Sequence, residues 1–301
     1  MSLFSRLVVA LMPLVPKAAV GFVAKRYVAG ETLEDAIRCV RQLNSEGAMA
    51  TIDVLGEEVL ERKKAASFVE HYMQVFEAIK TEKLEANVSI KPSMLGHKID
   101  TAFCSENIGK IISTARDYNN FVRIDMEDHT MTDQTVTYYN ETFKKYGHCG
   151  IVFQSYLRRT IQDINNLPEE GANVRLCKGI YIEPRTVAWK AYETVRANYL
   201  YCLEKLFKRG IYTGIATHDE HLVWGAMSLI DKYKLKPEQY EFQMLLGVDE
   251  SLRKIIIDNG HRLRVYVPFG VDWYPYSTRR LRENPDVAIH IIRAFLGLGP
   301  K

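Results

Sequence analysis

The strongest chemical signal in this chain lies near its C-terminal end, where Tyr276, Arg279, Arg280 and Glu283 fall at i, i+3, i+4 and i+7. That spacing is one face of an α-helix, with Pro275 suited to its start and Asn284-Pro285 to its end. Adjacent arginines commonly form a solvated face. Held over a cleft, two guanidinium forks instead make a bidentate receptor for a carboxylate or phosphate, so an anionic ligand is expected there. Upstream, polar residues stand inside or at the ends of short apolar runs: Lys91, Asp125 with Glu127 behind it, Gln154, Arg175, Lys178-Gly179, Thr217-His218, Gln243 and Tyr266. A charge within a β-run is expensive to bury without a partner, so Lys91, Asp125 and Arg175 read as one satisfied ionic cluster in a functional cleft.

The runs that must position these groups span 49–55, 87–92, 121–126, 150–154, 173–177, 212–218, 240–245 and 264–268. Each is short, rich in β-branched or aromatic residues, and separated from the next by a stretch of helical periodicity, which predicts parallel strands joined by crossover helices. Eight such units are the count of a closed (β/α)8 TIM-type barrel, an α/β fold that places chemistry at the C-terminal ends of its strands. An open doubly wound sheet would announce a dinucleotide site by G-x-G-x-x-G, and that string does not occur. Ahead of the first strand, Thr32 and Asp35 resemble a capping pair, and Leu33, Ile37, Val40 and Leu43 mark an apolar helical face. Residues 1–46 therefore read as an N-terminal helical arm, and residues 47–301 as the catalytic barrel domain.

Composition narrows the function. Forty Lys and Arg against 37 Asp and Glu leave a net charge of +3, too little over 301 residues to mark a nucleic-acid binder. Five scattered cysteines point to a reducing compartment, the cytoplasm, rather than a disulfide framework. The apolar stretch over residues 7–15 is too short to span a bilayer and is broken by Pro13, so it reads as a packed helix or, second, as a contact with the membrane surface. His218 and His221 are three apart with no third ligand at metal spacing, so no metal is expected. A strand-end lysine with an arginine pair also suits a Schiff-base aldolase acting on a phosphosugar.

The segments Ser89-Ile-Lys-Pro92, Val174-Arg-Leu-Cys-Lys-Gly179, Ile215-Ala-Thr-His218, Glu241-Phe-Gln-Met-Leu245, Tyr266-Val-Pro-Phe-Gly270 and Tyr276-Ser-Thr-Arg-Arg-Leu-Arg-Glu-Asn-Pro285, in that order, resemble the proline dehydrogenase family. The resemblance is to its small monofunctional bacterial members and runs from about Thr32 onward. It implies a distorted barrel holding FAD, which takes a hydride from the carbon beside the nitrogen of L-proline and yields Δ1-pyrroline-5-carboxylate. This would be the first step of proline catabolism to glutamate. A membrane quinone would receive the electrons, and a pyrroline-5-carboxylate dehydrogenase the product.

Carried onto this chain, Arg279, Arg280 and Lys91 would hold the substrate carboxylate, while Asp125 orients Lys91 and an arginine. Tyr266, Tyr276 and Leu245 would enclose the pyrrolidine ring, and the bulk of Tyr276 would disfavour a 4-hydroxyl group. Arg175 matches the residue beside the reactive flavin nitrogen, and Met126 and Gln154 match ring contacts. Lys178, Gly179, Tyr181, Thr217, His218, Gln243 and Glu283 fall on the cofactor side. Two positions depart from relatives: Leu246-Gly247-Val248 stands where others carry His-Gly-Met, and Cys177 replaces a common aliphatic and is expected to be a buried, inert thiol.

Overall fold

β1 (Met49–Val54) pairs in parallel with both β2 (Ala86–Ile90) and β8 (Leu263–Phe269), closing an eight-stranded barrel. The remaining strands follow in chain order: β3 (Val122–Ile124), β4 (Cys149–Gln154), β5 (Asn173–Cys177), β6 (Tyr212–Ala216) and β7 (Tyr240–Leu245). This computed structural model describes residue 21 and residues 24–56, 58–168 and 170–283, and of residues 279–283 the backbone alone. Each expected run is a strand. The helices are α1 (Leu33–Ser45), α2 (Arg62–Thr81), α3 (Thr101–Asp117), α4 (Thr132–Tyr146), α5 (Thr160–Asn165), α6 (Tyr192–Lys208), α7 (Glu220–Tyr233), α8 (Glu250–Asp258) and α9 (Trp273–Glu283).

Local chemistry explains where several of these begin. Thr32 caps α1 through a reciprocal box with Asp35, as the spacing predicts. Asp100 and Asp249 accept from the first-turn amides of α3 and α8. The last helix begins at Trp273, so Pro275 lies inside its first turn rather than at its start. α1 packs on β1 and β8 and buries Ala36, Val40 and Leu43 in the same core as the strands. α9 instead carries Tyr276 into a cavity at the mouth.

Side-chain alternation along the strands divides the core into two regions. The outward set, including Ile52, Ile90, Ile124, Ile151, Leu176 and Val267, is fully buried beneath the helices. The inward set is polar, where barrels of this architecture are ordinarily filled by branched aliphatics. At the floor Arg123 donates to the carbonyls of Ile151 at 3.1 Å and Asn173 at 2.8 Å, and Gly150 is required because a Cβ there would run into the guanidinium. Beside it Arg264 Nε donates to Glu241 Oε1 at 2.7 Å, and Tyr212 donates to Glu241 Oε2 at 2.9 Å.

Burial pushes the Glu241 carboxyl up, but the Arg264 guanidinium and its hydrogen bonds more than offset this and hold it at about 2, against an ordinary 4.5. A carboxyl lowered on folding contributes stability above its unfolded value and loses it as pH falls through the folded one, so this contribution fades between about pH 4.5 and 2. Urea unfolding should therefore show wild type losing more stability than Glu241→Gln from about pH 5 to about pH 3, by on the order of 1–2 kcal/mol. Equal losses would show that Glu241 titrates normally.

Candidate active site

The strands deliver their inward polar residues to one cavity of about 760 Å3 at their C-terminal ends. Its polar floor joins Lys91, Asp125, Arg175, Gln243 and Tyr266, from five strands or strand ends. Asp125 is the hub: its Oδ1 accepts from Arg175 Nη1 at 2.7 Å and Ser89 Oγ at 3.0 Å, and its Oδ2 from the Tyr266 hydroxyl at 2.9 Å. The Arg175 guanidinium also lies over the Tyr266 ring, 5.2 Å from its centre. Burial, with Asp125 and Asp53 close by, raises Tyr266 far above an ordinary tyrosine, so it stays a neutral phenol.

Lys91 makes its shortest ion pair with Asp53 Oδ1, at 2.6 Å, while Asp125 Oδ2 stands 3.9 Å away. The expectation that Asp125 orients Lys91 is thus met only at the longer distance, and Asp53 is the principal partner. Burial raises the Asp53 carboxyl, Lys91 lowers it, and the neighbouring Asp125 raises it again, leaving it above the usual range. The signal for Asp53 was present in the sequence. It is a carboxylate inside the run 49–55, the same feature that marks Asp125.

Leu245 and Tyr276 line the cavity together with Val248 and Tyr27. Tyr27 arrives on the N-terminal arm, latched by Arg26 Nε donating to the Gly247 carbonyl at 2.8 Å. Gly247 has φ 71°, and a Cβ there would run into the Arg26 backbone, so glycine is needed for this close approach. No periodicity in the sequence pairs residue 27 with residue 247.

Met126, Lys178, Gly179, Tyr181, Thr217 and His218 line the same cavity. Leu245 N donates to His218 Nε2 at 2.8 Å, which gives the neutral ring its proton on Nδ1 and ties β7 to the segment after β6. Lys178 pairs with Asp219 at 3.0 Å, and Asp219 also accepts from Arg196 Nη2 and Tyr192, each at 2.7 Å. Burial pushes Asp219 up, but these three donors more than offset it and hold its carboxyl well below the usual range. Tyr192, Arg196 and Asp219 are absent from the sequence expectation.

Gln154 ends β4, two residues beyond Val152, which lines the cavity. It is buried, donating to the carbonyls of Met126 at 3.3 Å and Glu127 at 2.8 Å. Its effect on the cavity is to hold that segment. Cys177, expected to be buried, is half-buried and lines the cavity: two residues beyond Arg175 on β5, it shares that strand's inward face. The side chains of Arg279, Arg280 and Glu283 lie outside the described residues.

Met126, Val152, Cys177 and Ala216 offer apolar faces beside the cations Arg175 and Lys178. That donor set fits a flat conjugated ring with an anionic tail, in a volume of the usual cofactor-pocket size. Gly179, in the cavity lining, has φ 108°, and a Cβ there would run into the Tyr156 ring. Gly179→Ala should cost about 2 kcal/mol or more in thermal unfolding. An unchanged melting temperature would show that the turn tolerates a side chain.

A closed parallel barrel with an ionic floor and a cofactor-sized cavity at its C-terminal mouth defines an enzyme of the (β/α)8 class. The sequence matches the profile of the family described as Proline dehydrogenase over residues 36–291, and the chain belongs to that family. It is 36% identical over 280 residues to a proline dehydrogenase of Deinococcus radiodurans, covering 91% of this chain and 90% of that protein. It is also 36% identical over 278 residues to proline dehydrogenase 2 of Bacillus subtilis, covering 92% and 91%. Among solved structures it is similar to proline utilization A of Bdellovibrio bacteriovorus inactivated by N-propargylglycine, at a TM-score of 0.82 and 26% identity. That likeness covers 87% of this chain and 32% of the larger one, so the chain spans about a third of that protein's length.

Proposed function

We propose that this chain oxidises L-proline to Δ1-pyrroline-5-carboxylate with FAD as its cofactor and a membrane quinone as electron acceptor, the opening step of proline catabolism to glutamate. The observation that carries the reading is the convergence of Lys91, Asp125, Arg175 and Tyr266 on the floor of one cavity that also holds Tyr276. FAD, when bound, supplies the acceptor for the two electrons of the C–H bond beside the amine. Every other task falls to the protein and is mainly one of positioning.

In this reading Arg279 and Arg280 grip the substrate carboxylate together with Lys91. Tyr266, Tyr276 and Leu245 close around the pyrrolidine ring and exclude water. Asp125 keeps Arg175 and Tyr266 in register from beneath. Arg175, Met126 and Gln154 serve the flavin ring, while Lys178, Gly179, Tyr181, Thr217, His218, Gln243 and Glu283 serve the remainder of the cofactor. The reaction needs the substrate amine neutral and no acid-base dyad, in keeping with the ion-paired and phenolic groups on the floor.

The test is an anaerobic titration of the purified protein with L-proline. The protein should be yellow and its flavin absorbance should bleach to a saturable end point, with 4-hydroxyproline the poorer substrate. A colourless protein trapped by borohydride with a ketone substrate would support the aldolase reading instead. Among the described residues no helix is long and apolar enough to cross a membrane. Contact with the quinone-bearing membrane through the arm is part of the proposal. Intact chain should co-sediment with liposomes, and a chain starting near Gly30 should not. A downstream pyrroline-5-carboxylate dehydrogenase would take the product.

A further inference from the structure

A file of buried polar side chains runs from the cavity down into the barrel floor. Arg175 Nε donates to Gln243 Oε1 at 2.5 Å, and Gln243 Nε2 donates to Glu241 Oε1 at 2.6 Å. Glu241 is held in turn by Arg264 at 2.7 Å and Tyr212 at 2.9 Å. Arg175, Gln243 and Glu241 are 7%, 6% and 2% exposed, so water does not compete for these bonds. Glu241 and Gln243 are two apart on β7 and therefore share its inward face. On neighbouring β6, Gly214 leaves the room: a Cβ there would run into the Gln243 amide.

A side-chain amide has nearly the same shape either way round, so its neighbours decide which end faces which. A guanidinium can only donate and an ionised carboxylate can only accept. With Arg175 on one side and Glu241 on the other, one orientation satisfies both, with the amide oxygen toward Arg175. We propose that Glu241, which does not line the cavity, is a positioning residue that locks the Gln243 amide and, through it, the plane of the Arg175 guanidinium. Asp125 grips the same guanidinium at Nη1, 2.7 Å away, so acceptors on two edges define its plane. Arg264 keeps Glu241 ionised at neutral pH, and the lock is permanent under those conditions.

The inference rests on the reading of Arg175 as the flavin-side cation, because a displaced positive charge stabilises the reduced ring less. Two variants test it in the full chain as purified. Glu241→Gln removes the obligate acceptor and lets the Gln243 amide turn over. The double variant Glu241→Leu with Arg264→Met removes it without leaving a buried charge unpaired. Both should exchange the Arg175 Nε–H with solvent at least tenfold faster by NMR. In both, the flavin equilibrium should shift about tenfold toward the oxidised form, about 30 mV more negative for a two-electron couple. Unchanged exchange and potential in a folded variant would overturn the proposal, as would full recovery of both in the double variant. If wild type binds no flavin, the cofactor reading fails, and the exchange measurement still decides the role of Glu241.

Discussion

Arg279→Met and Arg280→Met proteins are each expected to retain bound flavin and lose saturable reduction by proline. The described cations of the cavity already have carboxylate partners: Lys91 has Asp53 at 2.6 Å, Arg175 has Asp125 at 2.7 Å, and Lys178 has Asp219 at 3.0 Å. A substrate carboxylate entering the cavity therefore needs further positive charge to offset its desolvation. Residues 279 and 280 are three and four positions beyond Tyr276 on α9, the register of one helical face, and Tyr276 lines the cavity. Removing one partner of a desolvated charge pair costs about 3 kcal/mol, on the order of a hundredfold in kcat/KM. Anaerobic titration and steady-state kinetics with an artificial electron acceptor measure it. Wild-type saturation in either variant would remove that arginine from the carboxylate site, and a colourless variant would place it with the cofactor.

Asp125→Ala should be the most damaging single change on the cavity floor. It leaves the Arg175 guanidinium, 7% exposed, without its carboxylate, and it strips the Tyr266 hydroxyl of an acceptor at 2.9 Å. Breaking a buried pair from one side costs about 3–5 kcal/mol, because the surviving charge stays desolvated. For a domain of this size the melting temperature should drop by roughly 10 °C. Proline turnover should fall with it, since three cavity residues lose a common anchor. Asp125→Asn keeps an oxygen for Arg175 and Ser89 and should recover much of the stability while remaining impaired in kcat/KM. Full stability in the alanine variant would mean that Gln243 and Ser89 suffice to hold Arg175, and that the ionic cluster is not what organises the floor.

The barrel was legible because its period is local. Each strand is a short β-branched run bounded by turn residues, and each following helix carries its own apolar stripe, so neither identity depends on distant partners. The cavity floor was partly legible for the same reason: a charge inside an apolar run is conspicuous whatever lies opposite. Lys91, Asp125 and Arg175 stood out this way, and Asp53 obeyed the same rule without being singled out. The hydrogen-bond partners of Gln154 were not legible. They are backbone carbonyls in the segment after β3, and only tertiary packing sets that segment beside the end of β4.

The sequence by itself determined the number of strands, their order and parallel sense, the placing of polar chemistry at their C-terminal ends, and the resemblance carried by 276–285. Tertiary structure alone decided who pairs with whom: Asp53 with Lys91, Glu241 with Gln243 and Arg175, and Gly247 with the arm that brings in Tyr27. The physical reason is that secondary structure follows from interactions a few residues apart. A buried charge accepts whichever partner barrel closure brings within 3 Å, and closure sets β1 against β8, more than two hundred residues away in the chain.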